Sequence, residues 1–89
     1  MVRVKVRFFA TFREVSGSSE TSADASDVAG LLDALSSRFG EPFRLMVRDR
    51  GEDSFVVLVN GRNIRQSRGL RTDLAEGDEV SLFPPISGG

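Results

Sequence analysis

Apolar and charged residues alternate at the start of the chain, with Val2, Val4, Val6 and Phe8 separated by Arg3, Lys5 and Arg7. A period of two marks a strand with one buried face, because successive side chains of an extended backbone point to opposite sides. From residue 13 to residue 25 the residues are mostly small and polar. Gly17 there predicts a turn, and residues 19–23 a second strand with little apolar pattern. The period then lengthens: Val28, Leu31, Leu32, Leu35 and Phe39 share one helical face, with Ser26 as the N-cap and Gly40 as the residue that closes the helix. Gly30, inside this segment, costs up to about 1 kcal/mol relative to alanine, and its small size rather than its flexibility is taken as the reason for it.

Pro42 separates the helix from residues 43–47, a short apolar piece that suits a strand or a helical turn equally. Residues 48–54, with Gly51, read as a loop. Phe55-Val56-Val57-Leu58-Val59 then runs into Asn60-Gly61, the strongest short hairpin signal, so residues 62–64 should return antiparallel. Being apolar on both faces, the 55–59 segment suits a central strand or a surface covered by a partner, with one side in the core and the other a docking candidate. Leu70 and Leu74 mark a short helical turn or irregular segment, Glu76-Gly77-Asp78 a turn, and Val80 with Leu82 a last strand. Pro84 and Pro85 end it because neither can donate to a ladder. This order predicts an α+β domain in which one main helix packs on one face of a mixed sheet.

Composition narrows the chemistry. The 89-residue chain has room for one domain, and folding hides about 60–65% of the surface of a chain this short, which leaves little space for an enclosed active site. Neither cysteine nor histidine occurs. That removes the usual zinc and haem ligands, cysteine and histidine nucleophiles and disulfides. No acidic loop has the spacing of a calcium site, so no metal is expected. The net charge of −1 gives no overall attraction to nucleic acid or anionic membranes. No apolar run is long enough to span a bilayer and the N-terminus lacks a secretory pattern, which predicts a cytoplasmic protein. Arg62, Arg65, Arg68 and Arg71 recur every three residues. They read as a solvated face or a phosphate-binding stripe, although the interleaved aromatics of a single-strand binder are absent.

One group stands out as reactive, and it belongs to the main chain. The α-carboxylate of Gly89 is an anion at neutral pH and can attack an activated phosphate. Gly88 and Gly89 lack Cβ atoms, so a tail ending in them can thread a narrow channel. The alternative is an ordinary frayed end. Residues 84–89 would extend roughly 20 Å from the body when fully stretched.

The block Glu76-Gly77-Asp78-Glu79-Val80-Ser81-Leu82-Phe83-Pro84-Pro85-Ile86-Ser87-Gly88-Gly89 closely resembles the C-terminus of the ubiquitin-like sulfur carriers and modifiers of the MoaD/ThiS family. Phe8-Phe9-Ala10 with Arg13-Glu14, and Val59-Asn60-Gly61-Arg62, are similar to its opening strand and central hairpin. The likeness is greatest to the small subunit of molybdopterin synthase and its archaeal relatives. It implies a β-grasp domain over residues 1–83 and a tail over 84–89. It also implies adenylation of Gly89 by an E1-like enzyme that binds the ATP itself, and conversion to a thiocarboxylate that supplies molybdopterin sulfur together with the large synthase subunit. On that reading the chain binds no cofactor and is a substrate and a subunit, not an enzyme alone, and the resemblance also allows some of Arg62, Arg65, Arg68 and Arg71 to steer an acidic partner. Lacking cysteine, it cannot carry sulfur as its own persulfide, which leaves the carboxylate.

In a β-grasp fold the first and last strands are neighbours, so strand parity places Phe9 and Phe83 together on the outer face at the root of the tail. These two, with Pro84, Pro85, Ile86 and Ser87, are the predicted partner-binding residues, and Gly88 and Gly89 the reactive end. Two other functions compete with the carrier. A modifier would join Gly89 to lysines of other proteins, and Lys5 as the only lysine limits side-chain-linked self-conjugation to one site. A non-covalent β-grasp binding module would not need the glycines.

Overall fold

The computed structural model describes residues 1–48 and 55–84. The alternating N-terminal segment is β1 (Val2–Phe8), with Val4, Val6 and Phe8 buried and Arg3, Lys5 and Arg7 exposed. A short helix α1 (Thr11–Ser16) follows, and Gly17 ends it in the left-handed conformation. The polar segment after it is β2 (Glu20–Ala25), which pairs antiparallel with β1 from Val2↔Ala25 to Arg7↔Glu20. The predicted strand is therefore present and extends two residues further. Its inward positions are the small Thr21, Ala23 and Ala25, which is why it carries little apolar signal.

The main helix α2 (Val28–Phe39) buries Val28, Leu31, Leu32 and Leu35. Asp27, rather than the expected Ser26, is its N-cap, and its carboxylate accepts from the Gly30 N–H at 2.8 Å. The expected use of Gly30, its small size, has a specific cause: the residue is exposed, and a Cβ there would sit 3.1 Å from the capping oxygen of Asp27.

A third helix, α3 (Glu41–Arg48), occupies the ambiguous apolar piece. Pro42 is the second residue of this helix, where its missing N–H has no intrahelical partner to lose, so it starts the element instead of breaking it. Phe43 and Val47, one turn apart, are buried. The reading of residues 48–54 as a loop falls almost wholly outside the described residues. β3 (Val56–Val59) and β4 (Arg62–Asn63) form the expected hairpin, shorter by one residue because Ile64 opens a 3-10 turn over Ile64–Gln66. Asn60 and Gly61 both have positive φ, 52° and 85°, as a two-residue turn matched to strand twist demands. A second 3-10 turn, Gly69–Arg71, precedes β5 (Glu79–Phe83).

The sheet order is β2-β1-β5-β3-β4, with β1 and β5 parallel and the other pairs antiparallel. The parallel pair is central, and Val6, Phe8, Val80 and Leu82 from it are at most 2% exposed. The helices cover this inner face. Phe8 meets Phe39 and Phe43 edge to face at 5.5 and 6.0 Å, while Phe12 packs against Phe43 and Phe55. No helix among the described residues is long and apolar enough to cross a membrane.

Candidate functional site

No helix among the described residues covers the outer face of the sheet, and the composition of that face changes across the strands. On the β1 side it is charged. Arg3 pairs with Asp24 at 3.1 Å, Lys5 with Glu20 at 3.7 Å and Arg7 with Glu79 at 3.4 Å, all half exposed. The hydrogen bond that Arg3 donates to Asp24, and then the Asp24 charge, push the Arg3 guanidinium still higher than usual, which leaves it cationic throughout the working range. Exposed pairs of this kind contribute little to stability, and their effect here is to hold β1 side chains over β2 and β5.

Toward β3 the face becomes apolar. Phe83 lies in register with Val56, and Ser81 with Leu58. Val56, Leu58 and Phe83 are half-buried, as expected for the second side of the 55–59 segment. Phe9 and Phe83 stack with ring centroids 4.4 Å apart and planes within 7° of parallel. The Arg7 guanidinium lies 5.6 Å from the Phe9 centroid while bonded to Glu79, so a cation covers one edge of the stack. The two aromatics predicted from parity do meet, and nothing from this chain's inner layer covers them.

Their position follows from the backbone. The Phe9 N–H donates to the Leu82 carbonyl at 3.1 Å, continuing the β1–β5 ladder one residue beyond β1. Ala10 then turns the chain at φ 52°, ψ −124°, and the Phe12 N–H closes on the Phe9 carbonyl at 3.1 Å. These are the angles of the first central residue of a type II′ turn, a position that favours glycine. The turn leaves Phe9 on the outer face and drops Phe12 into the core. This turn is not legible in the sequence, because alanine is an unexpected occupant. Ala10→Gly should therefore stabilise the fold by ~1 kcal/mol without altering the stack, raising the melting temperature by roughly 4–8 °C for a domain of this size. Thermal unfolding followed by circular dichroism checks this, and a lower midpoint would contradict the assigned turn.

All seven phenylalanines gather at this end of the molecule. Phe8, Phe12, Phe39, Phe43 and Phe55 connect through ring contacts on the inner side, and Phe9 with Phe83 on the outer. The end of β5, from which the chain continues into Pro84, is thus held between two aromatic layers. Pro84 is half-buried and lies past the strand. Pro85, Ile86, Ser87, Gly88 and Gly89 lie outside the described residues. No group of three or more metal-ligating side chains occurs among the described residues.

The turn before β5 is fastened to the hairpin. The Asn60 side chain donates to Asp78 at 2.9 Å and accepts from the Glu79 N–H at 3.0 Å, and Asp78 accepts from Ala75 N–H at 2.8 Å. Asn60 therefore makes the turn and also sets where β5 begins, a second role that the hairpin signal did not reveal.

Comparison with known proteins agrees with this geometry. A family model described as the ThiS family matches residues 6–89, running through the final glycine. The chain is 38% identical to small archaeal modifier protein 3 of Haloferax volcanii, over 99% of this chain and 100% of that one. It is 32% identical to the molybdopterin synthase sulfur carrier subunit of Drosophila erecta, over 100% of this chain and 93% of the other. The solution structure of small archaeal modifier protein 1 from Methanosarcina acetivorans superposes with a TM-score of 0.83 at 33% identity, covering 100% of this chain and 98% of that structure.

Proposed function

The chain belongs to the ThiS family of ubiquitin-like sulfur carriers, and from that premise we propose that its working group is the α-carboxylate of Gly89, activated by a partner and used to carry sulfur for molybdopterin synthesis. A carboxylate oxygen of Gly89 attacks the α-phosphorus of ATP held by an E1-like enzyme, and pyrophosphate leaves. The resulting acyl-adenylate is then attacked at its carbonyl carbon by a hydrosulfide equivalent. AMP departs with the bonding pair, and loss of a proton leaves the thiocarboxylate. The chain supplies the acyl group and the docking surface; the partner supplies the nucleotide site.

The single observation that carries this reading is the stacked Phe9–Phe83 pair on the uncovered face at the end of β5. A tail can deliver its end to a partner's active site only if its root is held there. The apolar patch of Phe9, Phe83, Val56 and Leu58 offers that hold, with the ion-paired Arg7 and Glu79 at its rim. The test is incubation with the cognate E1-like enzyme and ATP, followed by pyrophosphate release and intact mass. The expected product is the acyl-adenylate of the whole chain, converted to the thiocarboxylate when sulfide is added. Absence of both would reject the proposal.

A second use of the same activated end is favoured by the 38% identity with a protein named as a modifier. There a lysine amine of another protein displaces AMP to form an isopeptide. The activation step is common to both, so adducts on other proteins would extend the first reading.

A further inference from the structure

The two edges of the sheet differ. β4, at one end, is two residues long and too short to template another strand, whereas β2, at the other, has six. The direction of the β2 backbone groups follows from the bonds on either side of β1. Lys5 and Phe9 donate their N–H groups to the Asp78 and Leu82 carbonyls, so the odd residues of β1 bond toward β5. Phe8 donates to the Ser19 carbonyl, so the even residues bond toward β2, where their partners are Thr21, Ala23 and Ala25. Glu20, Ser22 and Asp24 therefore turn their N–H and C=O groups away from β1, along the outer edge.

Side chains of this chain already occupy that edge. The Ser18 hydroxyl donates to the Glu20 carbonyl at 2.7 Å. Arg38, in the last turn of α2, donates to the Ser22 carbonyl at 3.0 Å and to the Thr21 hydroxyl at 2.8 Å, with its guanidinium 5.9 Å from the Phe39 centroid. Just past the strand, the Leu74 N–H donates to the Ser26 carbonyl at 3.0 Å. The acceptors that a neighbouring strand would need are thus engaged one after another. We propose that the outer edge of β2 is a pairing edge for a second copy of this chain, held closed by Arg38 and Ser18.

The pattern of β2 suits a copy of itself. Antiparallel pairing about a two-fold axis can set Glu20 opposite Ser22 of the copy and Asp24 opposite its Ser18, so that no two carboxylates face each other. The inward residues Thr21, Ala23 and Ala25 are small and leave room for close approach. Such an assembly closes at two copies, because the sheet would then end in the short β4 on both sides. With Arg38 and Ser18 in place the chain stays a monomer, and its aromatic face remains open to other partners.

The experiment is sedimentation velocity on the full chain over a range of concentrations, with amide hydrogen exchange on the same samples. The parent should be monomeric. Arg38→Ala should tighten self-association at least roughly tenfold, because a two-fold interface frees the Ser22 carbonyl twice and each net hydrogen bond has a several-fold effect. Arg38→Met, which keeps the stem beside Phe39 and loses the donors, should act in the same way, and adding Ser18→Ala should tighten the pair further. Exchange at Glu20 and Ser22 should slow in the dimer. Ser22→Pro in the Arg38→Ala background removes an N–H that points away from β1 and should restore the monomer. Folded Arg38→Ala and Arg38→Met chains that stay monomeric up to their solubility limit would overturn the proposal. So would a parent that dimerises as tightly as they do, or association that Ser22→Pro does not reverse or that leaves exchange at Glu20 and Ser22 unchanged.

Discussion

A chain ending at Gly88, and one carrying a single alanine after Gly89, are both expected to yield no detectable acyl-adenylate with the cognate E1-like enzyme. Each keeps a free α-carboxylate, so the loss cannot come from missing chemistry. It comes from position. One residue shifts the carboxylate by up to about 3.3–3.6 Å, while attack requires reacting atoms about 3–3.5 Å apart, and a 1 Å misplacement can cost about a hundredfold. The expected fall in initial rate is therefore at least about a hundredfold for either variant. Neither alters residues 1–83, so their melting temperatures should match the parent. Gly89→Ala keeps the length but adds a Cβ and should fall between parent and truncation. Activity near the parental rate in the shortened chain would show that the partner reads something other than the terminal carboxylate.

The second large effect concerns the aromatic pair. Phe9→Asp and Phe83→Asp should each weaken binding to the activating enzyme by at least about thirtyfold, or about 2 kcal/mol, because each places a charge in the centre of an apolar contact. The folded state should survive, since both rings are only half-buried and lie outside the main core. In Phe9→Ala and Phe83→Ala, a double-mutant cycle on stability should return a coupling of about 0.5–1.5 kcal/mol for the stack. Calorimetric titration measures the affinity and denaturant unfolding the coupling. Parental affinity in both aspartate variants would remove the outer face from the docking surface.

How far the sequence foretold this depended on what each element needed from its neighbours. β1, α2, the Asn60-Gly61 hairpin and β5 were legible because each carries its own periodicity or turn chemistry. From these the outward side of Phe9 and Phe83 followed by counting, and their meeting followed from the β-grasp strand order that the family resemblance implied. α1 was missed because six residues are too few for a helical period to show, although Phe12 and Val15, three apart, both reach the core cluster. α3 was ambiguous because Pro42 breaks a helix interior but not a helix start. The N-cap fell one residue late because Ser26 and Asp27 are both good caps and only the carbonyl and side-chain geometry chooses between them. The role of the tail rests on the chemistry of its residues and on the family.

The whole account depends on the terminal carboxylate being the group that is used. The most direct measurement is the intact mass of the native protein purified from its own cells under conditions that preserve thioacids. The expected result is a population heavier by the replacement of one oxygen with sulfur, with the gain mapping to the C-terminal peptide containing Gly89. A homogeneous, unmodified mass in cells that are actively making the cofactor, with no adduct through Gly89 on any other protein, would contradict it.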